Sequence, residues 1–297
     1  MWNRGHRYRE RLGQHAEGRS LIEYLSERYR HSSERQWRSR IEAGRVLVEG
    51  IPATSSRKLS AGEVLDWNRP PWREPPGPRS FALIHRDREV LGVAKPRGLP
   101  TMPGGGFLEK TLLHLVRERF PTASPLHRLG RGTSGIVLFS IEAGKRRHLV
   151  RLWQAGGVER GYRALVQGSA PPGETVLSQP IGSAPHPLLG SVAAVHPDGK
   201  RAVSRVRLLE RRENSSLVEV AIETGRTHQI RIHLAAMGHP LIGDRLYPAG
   251  GIPLSREVTL PGDLGYWLHA HRVAFDGTEL FCAPPPLLRR RGELSIR

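Results

Sequence analysis

One short stretch of this sequence constrains the fold more than any other. Residues 125–135 read PLHRLGRGTSG, with three glycines within six positions, and the apolar run IVLF follows directly. Glycine lacks a Cβ atom and can adopt positive φ, so such a stretch can turn sharply or allow another group to approach closely. A short, branched apolar run is typical of a buried strand. The sequence therefore predicts a basic loop leading into a buried strand, a suitable place for a binding or catalytic site.

Two common glycine motifs do not explain this stretch. The spacing Gly130-x-Gly132-x-x-Gly135 matches the dinucleotide-binding fingerprint, but that fingerprint needs a strand before the glycines and a helix after them. Here the predicted strand comes after the glycines. Ser134 does not fit a nucleophile elbow either, because Gly135 and Ile136 follow it instead of one variable residue and then glycine.

The charge balance points to a polyanionic partner. The 297 residues include 46 lysines and arginines against 28 aspartates and glutamates, a net charge of +18. An excess of this size favours RNA or DNA ahead of an anionic membrane. A generally basic proteome would give the same balance, so the charge supports a nucleic-acid partner without establishing it.

The cysteine content and the hydropathy of the sequence indicate in which cellular compartment the protein is expected. The single cysteine, Cys282, excludes an intramolecular disulfide and a Cys-x-x-Cys metal site. No apolar run approaches membrane-spanning length, and the basic N-terminus lacks the apolar segment of a secretory signal. We expect a cytoplasmic protein, with a transit peptide as the alternative because the N-terminal residues contain few acids.

The central stretch resembles the main motif of the RluA-type pseudouridine synthases, His-Arg-Leu followed three residues later by Thr-Ser-Gly and apolar residues. A second signature of that family, Gly-Arg-x-His-Gln-Ile-Arg, lies at residues 225–231, and Gly-Asp-x-x-Tyr follows at 243–247. The resemblance extends in the same order over residues 81–285. One position departs from the pattern, since Gly130 stands where the family has its catalytic aspartate.

The resemblance implies a reaction and a set of site residues. A pseudouridine synthase detaches uracil from a ribose and rejoins it through carbon, after the base has left the stack. The implied catalytic positions are Gly130, where the carboxylate is absent, Tyr162, which would stack on the flipped base, and Arg226, which would pair with the aspartate. The implied substrate-binding residues are Arg128, Arg131, Thr133, His228, Gln229 and Arg231. From the residues alone, Tyr162 is as well explained as a core tyrosine.

No cofactor or metal is expected. The family resemblance implies neither an organic cofactor nor a metal ion. His127, His228 and His233 are the histidines that would suggest a metal site. However, His228 and His233 are five residues apart and do not form the i, i+4 helical pair that such sites use.

The N-terminal part of the chain resembles the S4 RNA-binding domain. Two predicted helices precede the pattern Ile-x-x-Gly-x-Val-x-Val-x-Gly at residues 41–50, and Ser33 with Gln36 has capping-box spacing at the second helix. The resemblance implies that RNA phosphates are contacted by Arg35, Arg38, Arg40 and Arg45. The alternative is an ordinary solvated helix face.

Composition changes divide the chain into four segments. We expect a flexible basic arm at 1–17, the S4-like domain at 18–68, a proline-rich linker at 69–80 and a pseudouridine synthase-like catalytic domain at 81–297. The expected fold class is α+β, with the small domain followed by a larger mixed, mainly antiparallel sheet with flanking helices. Residues 146–153 predict a basic helix, and residues 170–201, rich in proline and glycine, predict long loops.

The predicted function is an RNA pseudouridine synthase acting on structured RNA, rRNA or tRNA, and a monomer is expected. Gly130 leaves three possibilities open: another carboxylate, Glu223 or Asp244, reaches the site; an RNA phosphate neutralises Arg226; or the chemistry uses a different arrangement. The second possibility would make the chain a catalytically inactive RNA-binding or ribosome-assembly factor. A DNA-binding protein is a weaker alternative, because no helix-turn-helix pattern is present.

Overall fold

The backbone forms two main sheets, one in each of two compact units. The computed structural model describes residues 2–186, 189–253 and 262–293. The chain divides into residues 1–74 and 75–297. This division lies within the segment 69–80 that was predicted as the proline-rich linker.

The small unit consists of a four-stranded antiparallel sheet with two helices. Its elements are β1 (His6–Arg11), a 3-10 turn (Gln14–Ala16), α1 (Leu21–Arg28), α2 (Glu34–Glu42), β2 (Val46–Val48), β3 (Ile51–Pro52) and β4 (Val64–Arg69), with strand order β1-β4-β2-β3. Each helix begins with a capping box, Ser20 with Glu23 and Ser33 with Gln36, so the cap predicted at Ser33 is confirmed. Apolar residues of both helices pack with those of the strands in one core.

The N-terminal segment is not the flexible arm that its composition predicted. Strand β1 pairs with β4 along six residues, so part of segment 1–17 is an edge strand of the sheet. Arg7 and Arg9 both bind the carboxylate of Asp66, whose side chain is fully buried. Hydrogen bonds from Arg7, and then from Arg9, hold the pKa of Asp66 well below its usual range. The prediction was wrong because the partner that orders this basic segment lies nearly sixty residues later in the chain.

The large unit is built on a ten-stranded sheet. Its main order is β10-β13-β14-β9-β15-β8-β6-β5, with β16 paired to β15 and β7 paired to β8. The strands of the unit are β5 (Ala82–Arg86), β6 (Val90–Lys95), β7 (Ser124–Pro125), β8 (Ser134–Ser140), β9 (Val158–Gln167), β10 (Glu174–Leu177), β11 (Ile181–His186), β12 (Gly190–Val195), β13 (Ser204–Arg212), β14 (Ser215–Ile222), β15 (Leu268–Phe275) and β16 (Thr278–Phe281). Its helices are α3 (Leu112–Arg119), α4 (Ala143–Gln154) and α5 (Gln229–Ala236), with a 3-10 turn at Pro286–Leu288.

This architecture confirms the predicted fold class. The strand pairs of the large sheet are antiparallel except for β8 with β15, which run parallel. The basic helix predicted at 146–153 lies within α4. Part of the region predicted as long loops instead contains β10 and the separate hairpin of β11 and β12. None of the described helices is long and apolar enough to cross a membrane.

Gly135 sets the start of the buried strand β8. Its φ is +112°, and a Cβ atom built there would lie 2.1 Å from the carbonyl oxygen of Ala270 on β15. Beside it, Ser134 Oγ and His269 Nδ1 are 2.9 Å apart. The two strands therefore meet at a point that only glycine fits, and the loop before β8 is placed by this contact.

We predict that Gly135→Ala destabilises the large unit by about 4 kcal/mol or more, because the methyl group adds a backbone clash to the positive φ. Urea unfolding of the purified variant measures this free energy. Gly156→Ala is the matched control, since Gly156 also has positive φ but has no atom within 4 Å of its Cβ position. Equal losses for both variants would show that the clash with Ala270 does not matter.

Candidate active site

The two sequence motifs meet at one cleft of the large unit. A cavity of about 310 Å³ lies between the loop before β8, the middle of β9, the start of α5 and the residues just before β15. It is lined by eight of the nine residues predicted for catalysis and substrate binding: Arg128, Gly130, Thr133, Tyr162, Arg226, His228, Gln229 and Arg231. Arg131 is absent from the lining, and its guanidinium lies over the ring of Phe107, 5.3 Å from the centroid.

A buried lysine supports the loop that carries Gly130. Lys95 is 1% exposed, and its Nζ donates to the carbonyl oxygens of Leu99 at 2.7 Å and Pro96 at 3.1 Å, with that of Arg131 at 3.5 Å. Burial lowers the pKa of Lys95 to about 7. Within the loop, the amide of Thr133 donates to the carbonyl of Gly130 at 3.1 Å. The turn is thus held by its own backbone hydrogen bond and by the buried Lys95.

Tyr266 fills the space above two glycines of the loop. A Cβ atom at residue 132 would lie 2.7 Å from Cζ of Tyr266, and a Cβ atom at residue 130 would lie 3.1 Å from its hydroxyl oxygen. Neither glycine has positive φ. A side chain at 132 would therefore force the ring of Tyr266 to move, and one at 130 would need only a small shift of its hydroxyl. Neither constraint comes from backbone conformation.

Arg231 is the arginine fixed beside this tyrosine. Its Nε and Nη2 donate to Oδ2 and Oδ1 of Asp244 at 2.6 and 2.8 Å, and both side chains are at most 5% exposed. The guanidinium lies 4.4 Å from the ring centroid of Tyr266 and 4.9 Å from that of Tyr247. Arg226, which was expected to pair with an acid, is exposed and donates from Nε to the carbonyl of Arg201 at 2.9 Å.

Neither carboxylate considered as a replacement lines the cleft. Asp244 is buried and also accepts from the amides of Leu246 and Tyr247 at 3.0 and 3.2 Å. Glu223 forms ion pairs with Arg201 and Arg205. Among the residues that the structure describes, the cleft lining contains no aspartate or glutamate.

The two imidazoles of the cleft are neutral. Nε2 of His127 accepts from the amide of Leu138 at 3.0 Å, and burial, with a smaller contribution from Arg160, lowers its pKa to about 3. His228 has φ of +57°, and its Nδ1 lies 2.8 Å from the hydroxyl of Tyr247. Burial, followed by the charge of Arg231, lowers the pKa of His228 to about 3. In the described ranges, no group of three or more His, Cys, Asp or Glu residues could hold a metal ion.

Several proteins similar to this chain are named as RNA pseudouridine synthases. Residues 89–236 match the family model described as RNA pseudouridylate synthase. An uncharacterised RNA pseudouridine synthase of Synechocystis sp. is 40% identical over 257 residues, covering 86% of this chain and 88% of that protein. RNA pseudouridine synthase 5 of Arabidopsis thaliana is 34% identical, covering 86% of each chain.

The chain belongs to the RNA pseudouridine synthase family. Membership confirms the predicted enzyme, which isomerises uridine to pseudouridine in RNA, and the similar proteins do not support the inactive alternative. The structure of human RNA pseudouridylate synthase domain containing 1 has a TM-score of 0.55 and 24% identity, covering 73% of this chain and 89% of that one. At this identity the structural match supports the fold alone.

Sequence reasoning missed Tyr266 and the pairing of Arg231 with Asp244. The spacing Gly130-x-Gly132 could have signalled a close approach, but the approaching ring lies 134 residues beyond Gly132. The motif Gly-Arg-x-His-Gln-Ile-Arg contains two arginines, and only their contacts distinguish the exposed one from the buried one.

We predict that Gly132→Ala lowers the rate of pseudouridine formation at least tenfold with the protein still folded, because the new methyl group displaces the ring of Tyr266. Single-turnover assays with excess enzyme measure the rate, and circular dichroism checks the fold. Gly262→Ala is the control, since its Cβ position has no neighbour within 4 Å. An unchanged rate for Gly132→Ala would mean that the position of Tyr266 is not important.

Proposed function

We propose that this protein converts a uridine of large-subunit ribosomal RNA to pseudouridine in the cleft beside Gly130, and that its small unit holds the RNA. The ribosomal substrate is supported by relatives named ribosomal large subunit pseudouridine synthase D. The one from Haemophilus ducreyi is 34% identical, covering 72% of this chain and 67% of that protein.

The cleft is the observation that carries this proposal. It gathers residues of two motifs about one hundred positions apart, and its volume of about 310 Å³ is in the range of small-molecule sites. The target nucleotide must leave the stack to enter it. Tyr162, 7% exposed, offers an aromatic surface for the uracil ring, and exposed Arg128 and Arg226 at the cleft supply positive charge for the flanking phosphates.

Gly130 holds the position of the family's catalytic aspartate in this proposal. The neighbouring residues retain the family pattern, and the loop, the aromatic residue and an arginine face one cavity. The absence of the carboxylate at position 130 therefore changes which group acts on the ribose, while the place of the nucleotide stays the same.

The small unit has the element order of an S4-like RNA-binding domain, with two helices followed by a hairpin. Among its predicted contacts, Arg35 and Arg45 are exposed. Arg38 pairs with Glu34 at 2.7 Å on the helix surface, an exposed pair of small strength. Arg40 packs against both Trp37 and Trp67, with its Cζ 4.5 and 4.8 Å from the two ring centroids. Arg35 and Arg45 are therefore the better candidates for phosphate contacts.

We expect cells that express this protein to gain pseudouridine at a defined uridine of their large-subunit rRNA, compared with cells that lack it. Chemical mapping of pseudouridine across total RNA tests this. A new modification confined to tRNA would contradict the ribosomal assignment, and no new modification in any RNA would contradict the function itself.

We also predict that the double variant Arg35→Ala, Arg45→Ala binds RNA more weakly and with a smaller salt dependence. Each lost phosphate contact lowers the slope of log Kd against log salt by about 0.7–0.9, so the double change should lower it by about 1.5. Filter binding at several salt concentrations measures the slope. Arg19→Ala is the control, because Arg19 is already paired with Glu27. An unchanged slope would place the RNA elsewhere.

A further inference from the structure

The reaction requires groups that can exchange protons or supply an electron pair, and few groups of the cleft can do this. The described residues that line it include no carboxylate. His127 and His228 are weak bases because burial lowers their pKa values, and one ring nitrogen of each is engaged with the protein. Among the remaining lining groups, the hydroxyl of Thr133 and the phenols of Tyr162 and Tyr266 carry an oxygen capable of nucleophilic or proton-transfer chemistry in known enzymes. Phenols are much stronger acids than the alkyl hydroxyl of threonine, so the two tyrosines exchange a proton more readily.

Tyr266 is the phenol placed beside position 130. Its side chain is 2% exposed, and its hydroxyl oxygen lies 3.3 Å from Oγ1 of Thr133. The same oxygen lies 3.1 Å from the place of a Cβ atom at residue 130. A side chain at residue 130 would therefore lie in tight contact with the phenolic oxygen. The loop is thus shaped to receive this oxygen.

The surroundings of Tyr266 suit an oxygen that carries negative charge during a reaction. The guanidinium of Arg231 lies 4.4 Å from the ring centroid and is held there by both oxygens of Asp244. A fixed positive charge in a buried site stabilises charge that develops nearby without reorganisation. The Arg231–Asp244 pair therefore holds a guanidinium group in place against the ring of Tyr266.

We propose that Tyr266 is a catalytic residue whose phenolic oxygen acts at C1′ of the target ribose, where a carboxylate is absent. This proposal rests on the proposed use of the cleft beside Gly130 as the active site. Tyrosine is a known nucleophile at sugar carbons in some glycosidases.

The step balances without any co-reactant. The oxygen of Tyr266 bonds to C1′ as the C1′–N1 bond breaks, and the phenolic proton passes to N1 of the departing uracil. After the uracil has rotated, its C5 bonds to C1′, and the bond between C1′ and the tyrosine oxygen breaks. The proton on C5 then returns to the phenolate. In the product, N1 of uracil carries hydrogen and C5 is bonded to C1′, and the phenol of Tyr266 is restored.

Tyr162 has a different role in the proposed reaction. It lies on β9, its ring lines the same cleft, and burial raises the pKa of its phenol. Its ring supplies the surface on which uracil stacks and turns. Removal of its hydroxyl leaves that surface intact, whereas removal of the hydroxyl of Tyr266 removes the group that acts on the ribose.

The first test compares Tyr266→Phe with the unchanged protein. We expect the single-turnover rate of pseudouridine formation to fall at least about 100-fold, while the Kd for RNA changes less than twofold. Tyr24→Phe is the matched control, because Tyr24 is 1% exposed and its hydroxyl donates to Glu10 at 3.1 Å in the small unit. A Tyr266→Phe rate above one tenth of the normal value would overturn the proposal.

The substrate RNA for this test is taken from mapping of total RNA, so that the two proposals can fail separately. Modification found only outside rRNA would refute the ribosomal substrate, and the effect of Tyr266→Phe would still be measured at the uridine found. The absence of any modification that depends on the unchanged protein would overturn both proposals.

A second test introduces a carboxylate at position 130. In Gly130→Asp, the new side chain competes with the hydroxyl of Tyr266, so we expect a rate below that of the unchanged protein. In the double variant with Tyr266→Phe, no ring atom lies within 4 Å of the new Cβ, so we expect at least a tenfold gain over Tyr266→Phe alone. Full activity of Gly130→Asp in both backgrounds would overturn the proposal.

A third test distinguishes chemistry from packing. Replacement of Tyr266 by 3-fluorotyrosine keeps the ring and hydroxyl but makes the phenol more acidic. Because the step transfers the phenolic proton and later releases the oxygen from C1′, the single-turnover rate should change at least about threefold in the fluorinated enzyme. A purely structural role of Tyr266 would leave that rate unchanged, which would overturn the proposal.

Discussion

The buried pair between Arg231 and Asp244 is the interaction on which the cleft depends. A buried charge is costly unless it is paired and its remaining hydrogen-bonding capacity is satisfied. Here the carboxylate accepts two bonds from the guanidinium and two from backbone amides of its own turn. The pair connects the first turn of α5 to the segment after the helix that contains Asp244. It also places the planar guanidinium group against the ring of Tyr266. Loss of either partner would leave the other as an unpaired buried charge.

Close packing around one loop is the second constraint, and three glycines of that loop leave the room that it needs. Gly135 allows the backbones of β8 and β15 to touch, which fixes where the loop ends. Gly132 admits the ring of Tyr266, and Gly130 admits its hydroxyl. The glycine at 130 is thus part of a fitted arrangement.

Predictions that rest on neighbouring residues agree well with the structure. The cap at Ser33 depends on a contact with Gln36 three residues away, and the basic helix α4 depends on its own periodicity. Predictions that need a distant partner fail. The N-terminal basic segment forms strand β1 because Arg7 and Arg9 bind the carboxylate of Asp66. The hairpin of β11 and β12 contains residues whose proline and glycine content suggested loops, since pairing between strands outweighs local propensity.

By itself, the sequence determined the family, the mainly antiparallel α+β fold and most of the residues that line the cleft, because motif order and hydrophobic pattern are local properties of the chain. The tertiary structure decided which arginine is buried beside the loop and which lies exposed at the cleft. It also decided what fills the space at position 130. Both depend on side chains from distant segments packing into one small volume, and no local pattern encodes that convergence.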